Sequence, residues 1–517
     1  MGASVLFESG DMQGNGLKGI IAGIILVVLC FIVGAQAAES AVSSAAIIAA
    51  VVGALVLILM GKRCWWLIFL LGPVVDVLPL PGPLSTIPGG MYMAAAVLVY
   101  WLLLWGMGYV KIKWRSFLLL DLLVLALAIC VVAAYIRRPV SINYLGFETD
   151  TQGGADYVYY AVAFVYYLTL SCIPMEKGEL AKVLRWSVAV VLGALFVDAC
   201  MVLVSGGIHV SELDSLRTES LFFFGEKGMA FLWVRFSFLA IILNPFLVGI
   251  ALMLCGCVLL SGGRERFMVV FCTIANIAII KKEILSCVCV GGVALFGLYM
   301  LSAAGFIEQA PHSVQRIVSM LPGIEISRAA KTDTEGTWEW RLTIWDMALD
   351  KRAGYIEDYV FGDGYGISVA EHSRLQRGVM RGQIEYADLE AYAIMGIWHN
   401  GAIRMLNYLG YVGLTLVVLI LIVGSVYMFR VCFALRGSPL FFPIVFYVSN
   451  YAALIPEYCL GAHGDRQFIL QFVSLALIKW AYCMLREEDK LIPLWQRKRY
   501  VPQMIREYGG ELCHSKD

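Results

Sequence analysis

Apolar residues fall in long blocks separated by short polar turns, without the one-face stripe of a soluble helix or the alternation of a half-buried strand. About fourteen blocks approach the ~20 apolar residues that a helix needs to cross a bilayer. Within lipid each backbone polar group must be satisfied inside its own segment, so the blocks predict helices. The pattern changes once on a large scale, from about Phe306 to Met405, where the chain becomes mixed and polar. The expected architecture is an all-α polytopic integral membrane protein of about 14 transmembrane helices (roughly 12–14), with one large external loop containing amphipathic helices. It divides into a bundle of about 11 helices at residues 1–305, a loop domain at 306–405, closing helices at 406–485 and a charged tail at 486–517.

Composition narrows the class. Of 517 residues, 60% are hydrophobic and only 15% charged, against roughly 25% charged in soluble domains. This excludes a soluble enzyme, a nucleic-acid binder and a disordered scaffold. Net charge is zero, so electrostatics must be read from where charges sit. Most of the fourteen cysteines, such as Cys30, Cys130 and Cys272, lie in apolar runs with no C-x-x-C pair; they read as small hydrophobes, and no metal or cofactor is expected. Met1 to Gly16 lacks the basic start of a cleavable signal, so Leu17 to Ala38 is expected as a retained first helix.

Lys and Arg at block ends orient the helices, because cytoplasmic loops are enriched in both. Lys62-Arg63, Lys111, Lys113, Arg115, Lys177, Lys182 and Arg185 alternate with uncharged or acidic turns, which puts both termini and these residues in the cytoplasm. Met229 to Gly262 is too long for one span. Divided at Asn244-Pro245, it places Lys281-Lys282, Arg430 and Arg436 inside and the polar loop outside. Four arginine sites then stand against the charge rule: Arg137-Arg138, Arg217, Arg264/Arg266 and Arg341. They read either as headgroup contacts or as ligands of an anionic lipid-linked substrate, since a guanidinium fork fits phosphate oxygens in pairs.

The loop carries fourteen acidic and ten basic residues, which is no surface for a polyanion. Trp338 to Asp350 has Leu342, Trp345 and Leu349 at helical spacing and predicts an amphipathic helix on the membrane surface, with Arg341 on its first turns and Asp333 or Thr337 as cap. Phe361-Gly362-Asp363-Gly364-Tyr365-Gly366 reads first as a flexible turn, and it lacks the Gly-Lys-Ser/Thr of a phosphate loop. His399-Asn400 is followed by nine residues, Gly410, two residues and Gly413, leading into a membrane helix whose small residues permit close packing. An imidazole at that depth is placed to act as a base at the lipid surface.

These elements, in this order, resemble the O-antigen ligase and polymerase family of bacterial membrane glycosyltransferases. Arg217 with Phe222 to Ala230 is similar to that family's external arginine and helix start. Ser261-Gly262-Gly263-Arg264 is similar to its Ser-Arg helix end. Arg341, Trp345 and Ala348 precede the glycine series, and the His-Asn, nine, Gly, two, Gly element matches the ligase pattern. The likeness spans roughly Arg217 to Gly413. Glu226-Lys227 departs from the family's Asn-Pro, and two glycines separate Ser261 from Arg264, leaving open whether Arg264 or Arg266 is the counterpart.

The resemblance implies a GT-C-like fold in the bacterial inner membrane. It implies transfer of a glycan from a polyprenyl (undecaprenyl) diphosphate donor to a glycan or lipid acceptor on the periplasmic face, alongside other envelope polysaccharide assembly proteins. No nucleotide sugar, metal or nucleic acid takes part. His399 is then the base and Arg341 a catalytic partner, with Arg217, Arg264, Arg266 and Arg341 on the diphosphate and Asn400, Trp345, Gly364, Gly366, Gly410 and Gly413 supporting. The chemistry fits these residue types independently: each charge-assisted contact to the leaving group contributes ~1.5–3 kcal/mol, and a general base about 10²–10⁴-fold. Two rivals stand beside this reading. One is a repeat-unit polymerase of the same family. The other is a lipid-linked oligosaccharide transporter or flippase, for which Asp76, Asp198 and Arg235 within apolar runs, and the break at Leu78 to Pro83, are the signals.

Overall fold

The computed structural model describes residues 53–77, 89–140, 151–152, 154–205, 219–261, 263–352, 354–368, 398–460 and 468–488, with isolated positions at 389–396 and 490–491. The expected helix Leu17–Ala38, the Leu78–Pro83 break, Arg217 and nearly all of the tail lie outside the described residues. The chain opens with α1 (Gly53–Arg63), bent by 118° against the segment that holds α2 (Trp66–Leu70) and the start of α3 (Gly72–Val77). Then come α4 (Gly89–Gly106), α5 (Leu119–Arg137), α6 (Ala155–Cys172), α7 (Lys177–Ser205), α8 (Glu219–Arg235), α9 (Phe238–Leu243) and α10 (Pro245–Leu260). After α11 (Arg264–Lys281) and α12 (Ile284–Ala303), the polar loop holds α13 (His312–Val318) and α14 (Arg328–Leu349). The chain closes with α15 (Gly401–Ala434), α16 (Phe441–Val448), α17 (Leu454–Leu460) and α18 (Phe472–Glu487).

Among the described residues five helices are long and apolar enough to cross a membrane, or six if the bent pair counts as one span. The protein is a helical membrane protein. Two short strands, β1 (Thr151–Gln152) and β2 (Ile367–Ser368), pair antiparallel and tie the start of α6 to the end of the glycine series. The division at Asn244-Pro245 is present: Asn244 caps α10, its side-chain oxygen accepting from the N–H groups of Phe246 and Leu247, with Pro245 at the first helical position. A second break precedes it, where α8 stops at Arg235 and Ser237 caps α9. Within the expected closing helices, the apolar segment Pro439 to Glu457 is divided at Ser449–Ala453 into α16, a 3₁₀ turn and α17.

Charges sort the bundle into two ends. At one, Arg63 pairs with Glu179 at 3.1 Å, Lys113 with Glu487 at 2.7 Å and Lys177 with Glu488 at 3.1 Å. At this basic end the Lys281 ammonium also donates to the carbonyl of Trp233 at 2.9 Å, and the Arg436 guanidinium to that of Ile280. The opposite end carries Arg137, Arg138, Arg264, the glycine series and α14. Helices α8 and α10 run antiparallel and close: a Cβ on Gly225 would overlap Val258, and one on Gly228 would overlap Leu254. Beneath the basic end Asp121 is only 4% exposed. Its carboxylate accepts from Lys479 at 2.5 Å, from the Tyr167 hydroxyl at 2.9 Å and from the Leu118 N–H at 2.7 Å. That network joins α5, α6 and α18 across the core.

Candidate functional site

The His-Asn and glycine elements meet at the loop end. Asn400 caps α15, its side-chain oxygen accepting from the N–H groups of Ala402 at 2.9 Å and Ile403 at 3.2 Å. Ten residues later the helix breaks, for Gly410 adopts φ 66° and ψ −168°. The break strips neighbouring backbone groups of helical partners, and the glycine series supplies replacements. Asp363 N–H donates to Asn407 O at 2.6 Å and Gly364 N–H to Tyr408 O at 3.0 Å, while Tyr411 and Val412 donate to Tyr359 O at 2.8 Å and Val360 O at 3.2 Å. Four backbone groups beside the break, the Asn407 and Tyr408 carbonyls and the Tyr411 and Val412 N–H groups, are thereby paired, as burial demands.

Close approach requires the glycines. A Cβ on Gly362 would overlap the backbone of Tyr408 to Gly410, and one on Gly410 would strike the Val360 carbonyl. Gly413 is required by the same bend, which turns the Leu409 Cβ onto the position that a side chain there would fill. The expected flexible turn is therefore a fixed clasp, and Gly364 and Gly366 lead it into β2.

The clasp is anchored by Arg137 and Arg138, which stand against the charge rule in the sequence. Arg137 bonds Asp358 at 3.1 Å and the Phe361 carbonyl at 2.7 Å, and Arg138 bonds Glu357 at 2.5 Å. Asp363 accepts from the Glu357 and Asp358 N–H groups, and the Tyr157 hydroxyl accepts from the Tyr365 N–H at 3.1 Å. Arg137-Arg138 thus hold the loop. The Phe361 N–H, with the Val360 N–H and Arg137, keeps the Asp358 carboxyl below the usual carboxylate range. A lowered folded pKa gives stability that is present above the ordinary value of ~3.9 and is lost as pH falls through the folded value. Cleavage of residues 354–368 by an acid-active protease is accordingly expected to stay flat from about pH 7 to about pH 5 and to rise below about pH 4; a profile flat through about pH 3 removes Asp358 as the cause.

The other arginines gather above α11. Helix α14 starts earlier than expected: Ser327 caps it by accepting from Ala330 N–H, whereas Asp333 pairs with Arg316 at 3.0 Å and Thr337 donates to the Asp333 carbonyl, so neither caps. Ile344 and Ala348 pack inward with Trp398, Ile356 and Ile403, and Trp338, Leu342 and Leu349 stay exposed. Arg341 lies 3.8 Å from Glu265. Arg264 is within electrostatic reach of Arg316 and Arg341, with Glu265 and Asp333 as the facing carboxylates. Arg266 turns elsewhere, its guanidinium 5.5 Å from the Phe222 ring, so Arg264 is the member that joins the group.

His399 stands on the same helix-loop junction. Its ring packs on Trp340, the residue before Arg341 on α14, at 5.0 Å and on Tyr392 at 5.6 Å. The neighbouring Trp398 carbonyl accepts from the Trp345 indole N–H at 2.8 Å, which fixes the segment to α14. His399 adopts φ 49°, one of two non-glycine residues with positive φ among those described; such strain persists only where surroundings over-determine it. Arg316 and Glu265 had no distinguishing sequence signal, because a single charge on a seven-residue helix or beside two arginines has no spacing to read.

No family model matches the chain, and no curated protein matches it. The resemblance to O-antigen ligases rests on the order and spacing of the elements alone.

Proposed function

We propose that the protein is a glycosyltransferase that moves a glycan from a polyprenyl diphosphate to an acceptor hydroxyl, in the manner of an O-antigen ligase. The full chain is then a GT-C-like bundle of about 14 spans in a bacterial inner membrane. In this reading the basic end is cytoplasmic and the loop end periplasmic, as the positive-inside rule requires. One observation carries the reading: Arg264, from α11, lies within electrostatic reach of Arg316 and Arg341, from α13 and α14. The two carboxylates of the group, Asp333 and Glu265, pair with the latter two, which leaves the three guanidiniums a net positive charge. Like charges drawn together repel unless an anion joins them, and a diphosphate is an anion of fitting charge.

The chemistry is a single displacement. The acceptor oxygen attacks the anomeric carbon as its proton passes to the His399 imidazole. The bond from that carbon to the phosphate oxygen breaks, and the diphosphate leaves with the electron pair while the guanidiniums take up its charge. His399→Ala is expected to lower glycan transfer at least about 100-fold with the protein still in the membrane. Arg341→Lys is expected to fail as well, because a point charge does not replace a fork. Transfer within about twofold of wild type in either variant removes that assignment. A deletion strain separates the two family activities: short lipid-linked chains mark a polymerase, and long chains never attached to an acceptor mark a ligase.

One observation favours the transport reading. The break between α16 and α17 buries Asn450 against Glu226 at 3.3 Å, and Glu457 faces Glu226, Glu265, Lys227 and Arg266. Broken helices with buried ionisable groups occur in transporters. Arg235, one of the residues that prompted this reading, ends α8 at the basic end and is exposed. Transfer by purified protein in detergent, where no gradient exists, excludes transport as the sole activity.

A further inference from the structure

Helices α7, α8 and α16 converge at the basic end. Between them lies a cavity of about 520 Å³ bordered by Arg185, Arg235, Ser438, Phe441 and Phe442. A second of about 520 Å³ adjoins it around Lys182, Arg185, Trp186 and Ala189. Lys182, Arg185 and Ala189 fall three and four residues apart, so they share one face of α7.

The charges here differ from the rest of this end. Arg63, Lys113 and Lys177 each have a carboxylate partner. Among the described residues no carboxylate pairs with Lys182, Arg185 or Arg235; Arg185 donates through Nε to the Ala181 carbonyl of its own helix, leaving its two terminal nitrogens for another acceptor. Arg185 and Arg235 border the first cavity and Lys182 shares the second with Arg185, so the adjoining notch is lined by cations with no paired carboxylate among the described residues and suits an anion. Trp186 beside them is 63% exposed, and exposed tryptophan on a membrane helix marks the headgroup level. Phe441 and Phe442 give the notch an apolar wall.

We propose that this notch binds the phosphate of an anionic membrane phospholipid, with Arg185 and Arg235 on the phosphate oxygens, Lys182 at the rim, and the acyl chains passing along Trp186 and Ala189. Basic pockets between membrane helices suit such headgroups, and guanidinium forks bind phosphate oxygens in pairs. An aqueous phosphate shares the chemistry but has no use for the apolar wall.

Native mass spectrometry of the full chain tests this, after release from nanodiscs of phosphatidylcholine with a minor share of phosphatidylglycerol. Wild type is expected to retain phosphatidylglycerol selectively, with at least about tenfold weaker retention in Arg185→Gln/Arg235→Gln. Ala189→Glu, which sets a carboxylate one turn from Arg185 where the acyl chains pass, is expected to weaken it equally, with an unchanged helical circular-dichroism spectrum as the check on folding. Unchanged retention in both variants overturns the proposal. So does displacement by millimolar inorganic phosphate, which assigns the notch to a soluble anion instead.

Discussion

Gly410→Ala is expected to open the clasp and abolish the order of the loop end while leaving the protein in the membrane. A Cβ at this position meets the Val360 carbonyl and the Phe361 nitrogen, both backbone atoms that have no rotamer by which to yield. Backbone at φ 66° and ψ −168° is essentially open to glycine alone and adds about 1–3 kcal/mol for a residue with a Cβ. Displacing the glycine series then forfeits the four backbone bonds that join it to α15, each worth about 0.5–1.5 kcal/mol net. Losing those bonds costs about 4 kcal/mol, whereas staying docked would keep a Cβ in overlap with the Val360 carbonyl, where no backbone atom can yield, so undocking is the cheaper response. Gly305→Ala is the control, for it has φ 75° and nothing within 4 Å of the added Cβ. It is expected to cost only about 1 kcal/mol. Hydrogen exchange at the Tyr411 and Val412 amides reads the difference; equal protection in the two variants rules the clasp out.

Lys479→Met is expected to destabilise the bundle by about 3–5 kcal/mol, the cost of stranding a buried carboxylate. Asp121 and Lys479 are 4% and 6% exposed, so water does not replace the lost partner. The Tyr167 hydroxyl and Leu118 N–H remain as donors but carry no charge. The double variant Asp121→Leu/Lys479→Met removes both charges and is expected to recover most of the loss, because a buried pair contributes little beyond its own desolvation. Reversible unfolding in mixed detergent micelles measures both. A double variant no more stable than the single one argues that Asp121 serves α5 mainly through the Leu118 cap.

Charge placement along the chain was enough to sort the two ends: Arg63, Lys113, Lys177, Lys281 and Arg436 lie together, and Arg137, Arg264 and Arg341 lie opposite. Asn244-Pro245 announced a break because an Asx cap and a proline at the first helical position act locally. The clasp was not legible. Its two strands of backbone, at residues 359–364 and 407–412, are far apart in the chain, and Gly410 sits in an apolar run that reads as one uninterrupted helix. Arg137 and Arg138 read as headgroup contacts or substrate ligands because their partners Asp358 and Glu357 lie more than two hundred positions downstream. The Ser449–Ala453 break was hidden likewise, since its polar groups find Glu226 and Asn276 on other helices. Of the expected site, Arg264, Arg341 and His399 come to one end, and Arg316 joins them.

A straight α15 of 34 residues would reach about 51 Å, well beyond the ~30 Å of hydrocarbon it crosses. The joint at Gly410 divides that rod into a long arm held by lipid and a short arm ending at Asn400. The clasp bonds both arms, Asn407 and Tyr408 on the short one and Tyr411 and Val412 on the long one, so the angle between them is set by the fold and the short arm need not follow the line of the long one across the bilayer.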